Sequence, residues 1–287
     1  MSSAQDLRKR IKSVKNTQQI TKAMKMVASA RLRRAQMKAK STEPYADRLG
    51  HILQNVASGI DAGAMKAYPL MAVRPVKKTA YVVIGADKGL AGAYTSNIVK
   101  YFVHAVEGKE RNEYDVLTVG RKPQEHLKHH KYPIYNSYAE FSDKPEYAHA
   151  VAIVRDVTAR FIAGEVDEVI MIYTHFVNSL TQTVTSRRLL PVETPEEKSG
   201  STGLYLFEPD EGAIFKELLP KYLEITVYNA LLQAAASELG ARMTAMTSAT
   251  DNAGELISSL NLEYNKLRQA GITNEISEIV GGANALQ

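Results

Sequence analysis

"YLEITVYNALLQAAASELGARMTAMTSATDNAGELISSLNLEYNKLRQAG", Tyr222 to Gly271, decides the fold. Tyr222, Ile225, Asn229, Leu232, Ala236, Leu239, Met243, Met246, Thr250, Ala253, Ile257, Leu260, Tyr264, Leu267 and Gly271 follow one another in alternating steps of three and four without a break. A repeat of 3.5 residues held this long specifies a left-handed supercoil with a partner helix rather than a helix resting on a globular core. At 1.5 Å per residue, ~75 helical residues reach ~110 Å, several times the diameter of a domain of this size. The helix is therefore expected to extend beyond its own domain and to need a partner.

The other end of the chain supplies one. Up to about residue 57 there is no proline before Pro44 and no glycine before Gly50, and the helix formers Ala, Lys, Arg, Gln and Met dominate, with Ser2 or Ser3 available as a cap. Leu7, Ile11, Val14, Gln18, Thr21, Lys25, Ala28, Leu32 and Ala35 form one row at heptad spacing, apolar at its ends and polar in its middle. A second row, Ile20, Met24, Val27 and Arg31, runs beside it. One row can pack on the C-terminal helix while the other faces something else. Small residues along the seam allow close approach but bury little area each, at ~25 cal/mol per Å².

Between the two helices the texture changes. "TAYVVIGA" (Thr79 to Ala86), "YDVLTVG" (Tyr114 to Gly120) and "DEVIMIYTHF" (Asp167 to Phe176), continuing into "SLTQTVTSRRLLPV", are strand candidates rich in Val, Ile and Tyr. Helical spacing separates them around Ala93 to Val106 and Tyr147 to Ala163. This alternation predicts a small Rossmann-like α/β unit with a largely parallel sheet. "ETPEEKSGSTG", Glu193 to Gly203, reads as a mobile loop. The predicted fold class is thus α/β: a long antiparallel coiled coil of the terminal helices, residues 1–60 and 209–287, with an α/β domain at 75–208 inserted between them.

Charge is unevenly distributed. From Arg8 to Thr42 there are twelve Lys or Arg and no acid; 36 basic residues less these twelve leaves 24 against 31 acidic ones, a balance of −7 for the rest. An acidic partner, an acidic segment of the same chain or a solvated basic face are all compatible with that asymmetry. Nucleic acid is permitted by charge, but Leu7 to Met37 offers no aromatic for stacking and little to read a base edge. The methionines Met24, Met26, Met37, Met243 and Met246 read first as core fillers, and where they fall outside the seam they suit a surface that must accept more than one partner shape.

Catalytic chemistry finds no foothold. "GADKGLAGAY", Gly85 to Tyr94, follows a strand and precedes a helix, but it lacks both the GK[ST] ending of a P-loop and the GxGxxG spacing of a dinucleotide site. It reads as a structural turn whose three glycines permit positive φ and close packing, with Asp87 and Lys88 exposed at its tip. His126, His129 and His130 include an i, i+4 pair, yet lysines surround it and no further ligand is placed, so no metal site is expected. There is no cysteine, hence no disulfide or thiolate site. No GxSxG or HExxH motif occurs. The N-terminus has no apolar core of a signal peptide, and no apolar run is long enough to span a bilayer, so membrane association is expected only through partners.

The motifs "IKSVKNTQQITKAMKMVASARLRRAQ", "GADKGLAGAYTSN" and "ASELGARMTAMTSATDNAGELISSLNLEYNKLRQAGITNEISEIVGGANAL" closely resemble those of the gamma subunit of rotary F-type ATP synthases, in the right order and spacing. The resemblance implies a central rotor shaft inside a hexamer of alternating alpha and beta subunits, one copy per complex. The insert would be a foot that touches the epsilon subunit and the c-ring of the membrane sector. ATP, ADP and Mg would be held by the alpha and beta subunits and no cofactor by this chain, which would not be an enzyme by itself. Carried over by position, Met24, Lys25, Arg31 and Arg34 would meet acidic segments of the beta subunits, Arg268 and Gln269 a catch loop, and Ile272, Ile276, Ile279, Val280 and Leu286 an apolar sleeve. Lys88 would lie on an exposed loop of the foot. Ala91 stands where many relatives carry cysteine, and the segment from Pro191 to Gly203 lacks the cysteine pair of the chloroplast form, which excludes thiol control. A bacterial enzyme is expected, peripheral to the cytoplasmic face of the cell membrane. A static coiled-coil scaffold or assembly factor is the competing reading.

Overall fold

The structure, a computed structural model, describes residues 4–59, 68–192 and 210–284. The expected Ser2 or Ser3 cap, the Glu193 to Gly203 loop and Leu286 lie outside the described residues. In chain order the elements are α1 (Ala4–Gly59), a 3₁₀ turn (Pro69–Met71), β1 (Thr79–Ile84), α2 (Tyr94–Ala105), β2 (Tyr114–Val119), α3 (Arg121–His129), β3 (Ile134–Tyr138), α4 (Tyr147–Ile162), β4 (Glu168–Phe176), β5 (Gln182–Leu190) and α5 (Glu211–Asn284). They form two compact units, one of residues 1–28 with 243–287, the other of residues 29–242.

In the larger unit the five strands lie in the order β3-β2-β1-β4-β5. Four are parallel and only β5, joined to β4 by a hairpin, runs antiparallel. All six residues of β1 are buried, as expected of a central strand covered on both faces. Its alternation sorts the core in two. Ala80, Val82 and Ile84 face a cluster that includes Ile153, Val157 and Phe161 of α4 and Phe215, Leu219, Leu223 and Val227 of α5. Tyr81 and Val83 face the other, built with Ile98, Val99 and Phe102 of α2 and Leu127 of α3. The period of two along the strand thus sets which helix packs on which side. Leu53, Val56 and Ala57 of α1 join the first cluster.

The smaller unit is an antiparallel helix pair. Leu7, Ile11 and Leu260 are buried together, with Val14, Tyr264 and Leu267 packed against them. Further along, the hydroxyls of Thr21 and Thr250 lie 2.8 Å apart and Gln18 Nε2 donates to the Thr250 carbonyl at 3.3 Å. Residue number rises on one strand of the seam as it falls on the other, and the seam positions are those the heptad rows predict. Gly254 leaves room for Gln18, whose Nε2 would sit 3.1 Å from a Cβ at that position. The polar middle of the row is therefore hydrogen-bonded across the seam rather than left unpaired.

β3 and α3 escape the sequence reading. β3, "IYNSY", is an edge strand, half-buried and polar, without the apolar run that marks the other strands. α3, "RKPQEHLKH", carries Pro123 in its first turn and buries only Pro123 and Leu127. Among the described residues no helix is long and apolar enough to cross a membrane.

Candidate partner-binding surfaces

The loop after β1 is a structural turn, as expected, but its details differ from the expectation. Of its three glycines only Gly92 has positive φ, at 56°, while Leu90 takes the other left-handed position at 62°. Gly85 serves close approach instead: a Cβ there would come within 2.9 Å of the Pro123 ring. Asp87 is not exposed at the tip. Its carboxylate accepts the N–H of Arg121 at 3.0 Å and of Ser142 at 2.9 Å, and its own N–H donates to Ser142 Oγ at 2.9 Å. An anion at the first turn of α3 also complements the helix dipole. Burial works against its charge, but the N–H donors of Glu140, Ser142 and Arg121 outweigh it and hold the carboxyl below its ordinary range. Lys88 is exposed, as expected.

Asp87 thereby fastens the first loop to a second, which runs from β3 to α4 and carries Phe141 to Glu146. Three cations meet its Phe141 to Glu146 part. Arg31 Nη1 pairs directly with Asp143 Oδ2, Lys88 Nζ reaches the same oxygen at 3.2 Å, and Lys38 Nζ donates to the Pro145 carbonyl at 3.2 Å. Lys38 also stands 5.6 Å from the centre of the Tyr228 ring. Arg34 bonds only weakly back to its own helix, Nε to the Ala30 carbonyl at 3.4 Å. The structure thus brings Arg31 and Lys88 together on one carboxylate, a meeting the sequence does not announce.

A third layer lies beneath. Arg242 Nη2 donates to Glu238 Oε1 at 2.7 Å and to the carbonyls of Lys88 and Gly89 at 3.3 Å each, so α5 grips the first loop from below. Burial pushes the Glu238 carboxyl up against the pull of Arg242. Tyr94, buried, donates its hydroxyl to the Ala234 carbonyl at 3.1 Å, and burial with Glu238 nearby pushes its pKa up. Glu238 and Arg242 are missing from the sequence-based candidates. The signal was available: they are the only charges between Ile225 and Thr250, one turn apart on a helix.

In the smaller unit Met24 and Lys25 are half-buried, whereas Ile20, Met26 and Val27 are exposed. Beyond Leu267 every described side chain of α5 up to Gly281 is exposed, including Arg268, Gln269, Ile272, Ile276, Ile279 and Val280. Ile272, Ile276 and Ile279 share one helix face by their spacing. Three large apolar side chains are thus exposed on one face of the helix.

Small-molecule chemistry has less to work with. Among the described residues no group of three or more His, Cys, Asp or Glu is arranged to hold a metal ion. The His126 and His130 rings are 4.7 Å apart, and burial together with His130 and His129 lowers the pKa of His126. An open cleft of about 340 Å³ lies among α1, β4, β5 and α5, lined by His51, Tyr173, His175, Arg187, Tyr222 and Asn229.

Comparison with known proteins agrees with this plan of helix pair and inserted sheet. The family model described as ATP synthase matches residues 3–286. The ATP synthase gamma chain of Desulforamulus reducens is 49% identical, and that of Moorella thermoacetica 44% identical, each over the whole of both chains. Among solved structures, a chain of the Tetrahymena thermophila mitochondrial ATP synthase central stalk and c-ring superposes with a TM-score of 0.61 at 25% identity, covering 80% of this chain and 99% of that one. A chain of the Euglena gracilis mitochondrial ATP synthase has the same fold, with a TM-score of 0.72 at 18% identity over 99% of this chain and 94% of that one. The chain therefore belongs to the ATP synthase gamma chain family.

Proposed function

We propose that this chain is the central rotor shaft of an F-type ATP synthase, turning within a hexamer of alpha and beta subunits. It couples proton flow through a membrane c-ring to ATP synthesis, or to hydrolysis in reverse, at sites on the beta subunits. The chain itself supplies contact surfaces and no reacting group; ATP, ADP and Mg reside on the hexamer. One copy per complex, with the epsilon subunit and the c-ring at the foot, makes it a peripheral protein of the cytoplasmic face of a bacterial membrane.

The observation that carries this reading is the unpartnered surface of two helices whose seam is already satisfied. Leu7, Ile11, Leu260 and Leu267 serve each other, while Ile20, Met26, Val27 and the Arg268 to Val280 segment remain for something else. A rotor acts on three equivalent catalytic subunits only by touching them unequally, because a ligand with equal affinity for every state shifts none of them. Within this reading Met24, Lys25, Arg31 and Arg34 meet acidic segments of the beta subunits, and Lys88 lies on an exposed loop of the foot. Arg268 and Gln269 meet a catch loop, and Ile272, Ile276 and Ile279 turn in an apolar sleeve.

The test is a reversible disulfide between a cysteine introduced at Arg268 and one in a beta subunit of the assembled complex. Oxidation is expected to stop ATP turnover and reduction to restore it. Full crosslinking with unchanged turnover would leave the static scaffold as the better reading. Charge reversal at Arg31 and Arg34 is expected to weaken coupling more than assembly, and the triple substitution of Ile272, Ile276 and Ile279 by Asp to lower turnover without lowering the melting temperature of the free chain.

A further inference from the structure

Arg31 and Lys88 come from α1 and from the loop after β1, yet both spend charge on Asp143 Oδ2. The acid is the least accessible of the three: its side chain is 18% exposed, against 47% for Arg31 and 65% for Lys88. The carboxylate therefore sits beneath two cations that reach past it to solvent. A guanidinium carries five N–H donors and an ammonium three, more than one carboxylate oxygen uses. The trio keeps a net positive charge, with Lys38 nearby on the Pro145 carbonyl.

Asp143 is also held in place. The Ser142 N–H is bound by the Asp87 carboxylate, which is itself fixed by the Arg121 N–H, and Pro145 is bound through Lys38. Below it lie Glu238 and Arg242, and Asp143 is close enough to Glu238 to disfavour its ionisation. Asp143 is thus an anchored anion and Arg31 and Lys88 are longer, more exposed partners.

We propose that Asp143 is a built-in competitor for the acidic partner segment, occupying Arg31 and Lys88 so that contact with that segment is oriented but weak. This rests on the reading of Arg31 as part of a docking surface for acidic segments, extends it to Lys88 through their shared carboxylate, and adds why the contact releases. A carboxylate arriving from outside finds the two cations already gathered at one point, which lowers the ordering cost of binding. It must also share them with a charge of its own sign. A surface that passes one partner after another is served by such reversibility, because two cations without the competing charge would hold each acid severalfold more tightly.

The test compares the full-length chain with its Asp143→Asn variant, using fluorescein-labelled poly-glutamate as probe at low ionic strength. Asn keeps the shape and an acceptor while removing the charge. The variant is expected to bind roughly two- to fivefold tighter, the range that exposed ion pairs span, and the gain to vanish when Arg31→Gln and Lys88→Gln are added. Equal binding by the two chains overturns the competitor role and leaves the docking surface standing; binding by neither overturns both. Should Asp143→Asn loosen the fold, the wild-type chain still decides the matter. Its Asp143 carboxyl ¹³C resonance is expected to shift as poly-glutamate binds, and a static resonance on a saturated chain would overturn the proposal.

Discussion

Glu238 and Arg242 form an ion pair of 2.7 Å one turn apart on α5, with side chains only 1% and 10% exposed. Taking one partner from a buried pair leaves an uncompensated charge and typically costs ~3–5 kcal/mol. Arg242→Met is therefore expected to destabilise the chain by about that much near neutral pH, measured by urea unfolding. Adding Glu238→Leu should recover most of it. The loss should also depend on pH in a definite direction. Because the folded-state pKa of Glu238 is raised above its ordinary 4.5, its contribution is fullest below that value and is lost as pH rises through the folded pKa. Arg242→Met should accordingly be milder in acid than at neutral pH.

Asp87 behaves in the opposite sense. Its folded pKa lies below the ordinary 3.8, so its contribution is present above that value and disappears as pH falls through the folded pKa. Asp87→Asn should cost about 1–2 kcal/mol at neutral pH, because one amide cannot accept both the Arg121 and Ser142 N–H groups as the two carboxylate oxygens do. Thermal melting as a function of pH should show the variant and wild-type curves converging in strong acid.

Gly120 has φ of 99°, and a Cβ there would fall 2.7 Å from the Gly85 carbonyl oxygen. Neither the dihedral nor the neighbouring backbone can give way cheaply, so Gly120→Ala should cost at least ~2 kcal/mol. Gly108 provides the control, with φ of 79° and nothing within 4 Å of the added carbon. Gly108→Ala should therefore show only the dihedral cost, ~1 kcal/mol. Equal effects in denaturant melts would mean that the close approach of Gly120 to Gly85 is not a constraint.

At the helix pair, Leu7 is fully buried against Ile11 and Leu260. Leu7→Ala should cost ~2–4 kcal/mol locally. Hydrogen exchange should then quicken for amides near residues 7–14 and 257–267 while the sheet amides keep their rates. Replacing Thr21 and Thr250 together by Val should be nearly neutral, because the hydroxyl pair disappears without stranding either partner. Either single replacement should be the worse one.

What the sequence alone determined was whatever repeats or alternates. The unbroken heptads of the C-terminal helix and the row from Leu7 to Ala28 placed the seam residue by residue, since a period of 3.5 leaves one face for burial. The β-branched runs marked β1, β2 and β4, which lie inside the sheet, and β5 followed as the continuation of β4. β3 was illegible because an edge strand need not be apolar on both faces, and α3 because a nine-residue helix carrying lysines and histidines buries only two side chains. The site followed the same division. Arg31 and Lys88 stood out as cations, and Glu238 with Arg242 could have been found as an isolated i, i+4 pair. That Arg31 and Lys88 share Asp143, that Asp87 is an anchor rather than an exposed tip, and that Arg242 holds the Lys88 and Gly89 carbonyls was decided only by tertiary structure. Those groups are far apart in the chain, and no local period relates them; only the packing of α1, α5 and two loops against a common sheet brings their charges within hydrogen-bonding distance.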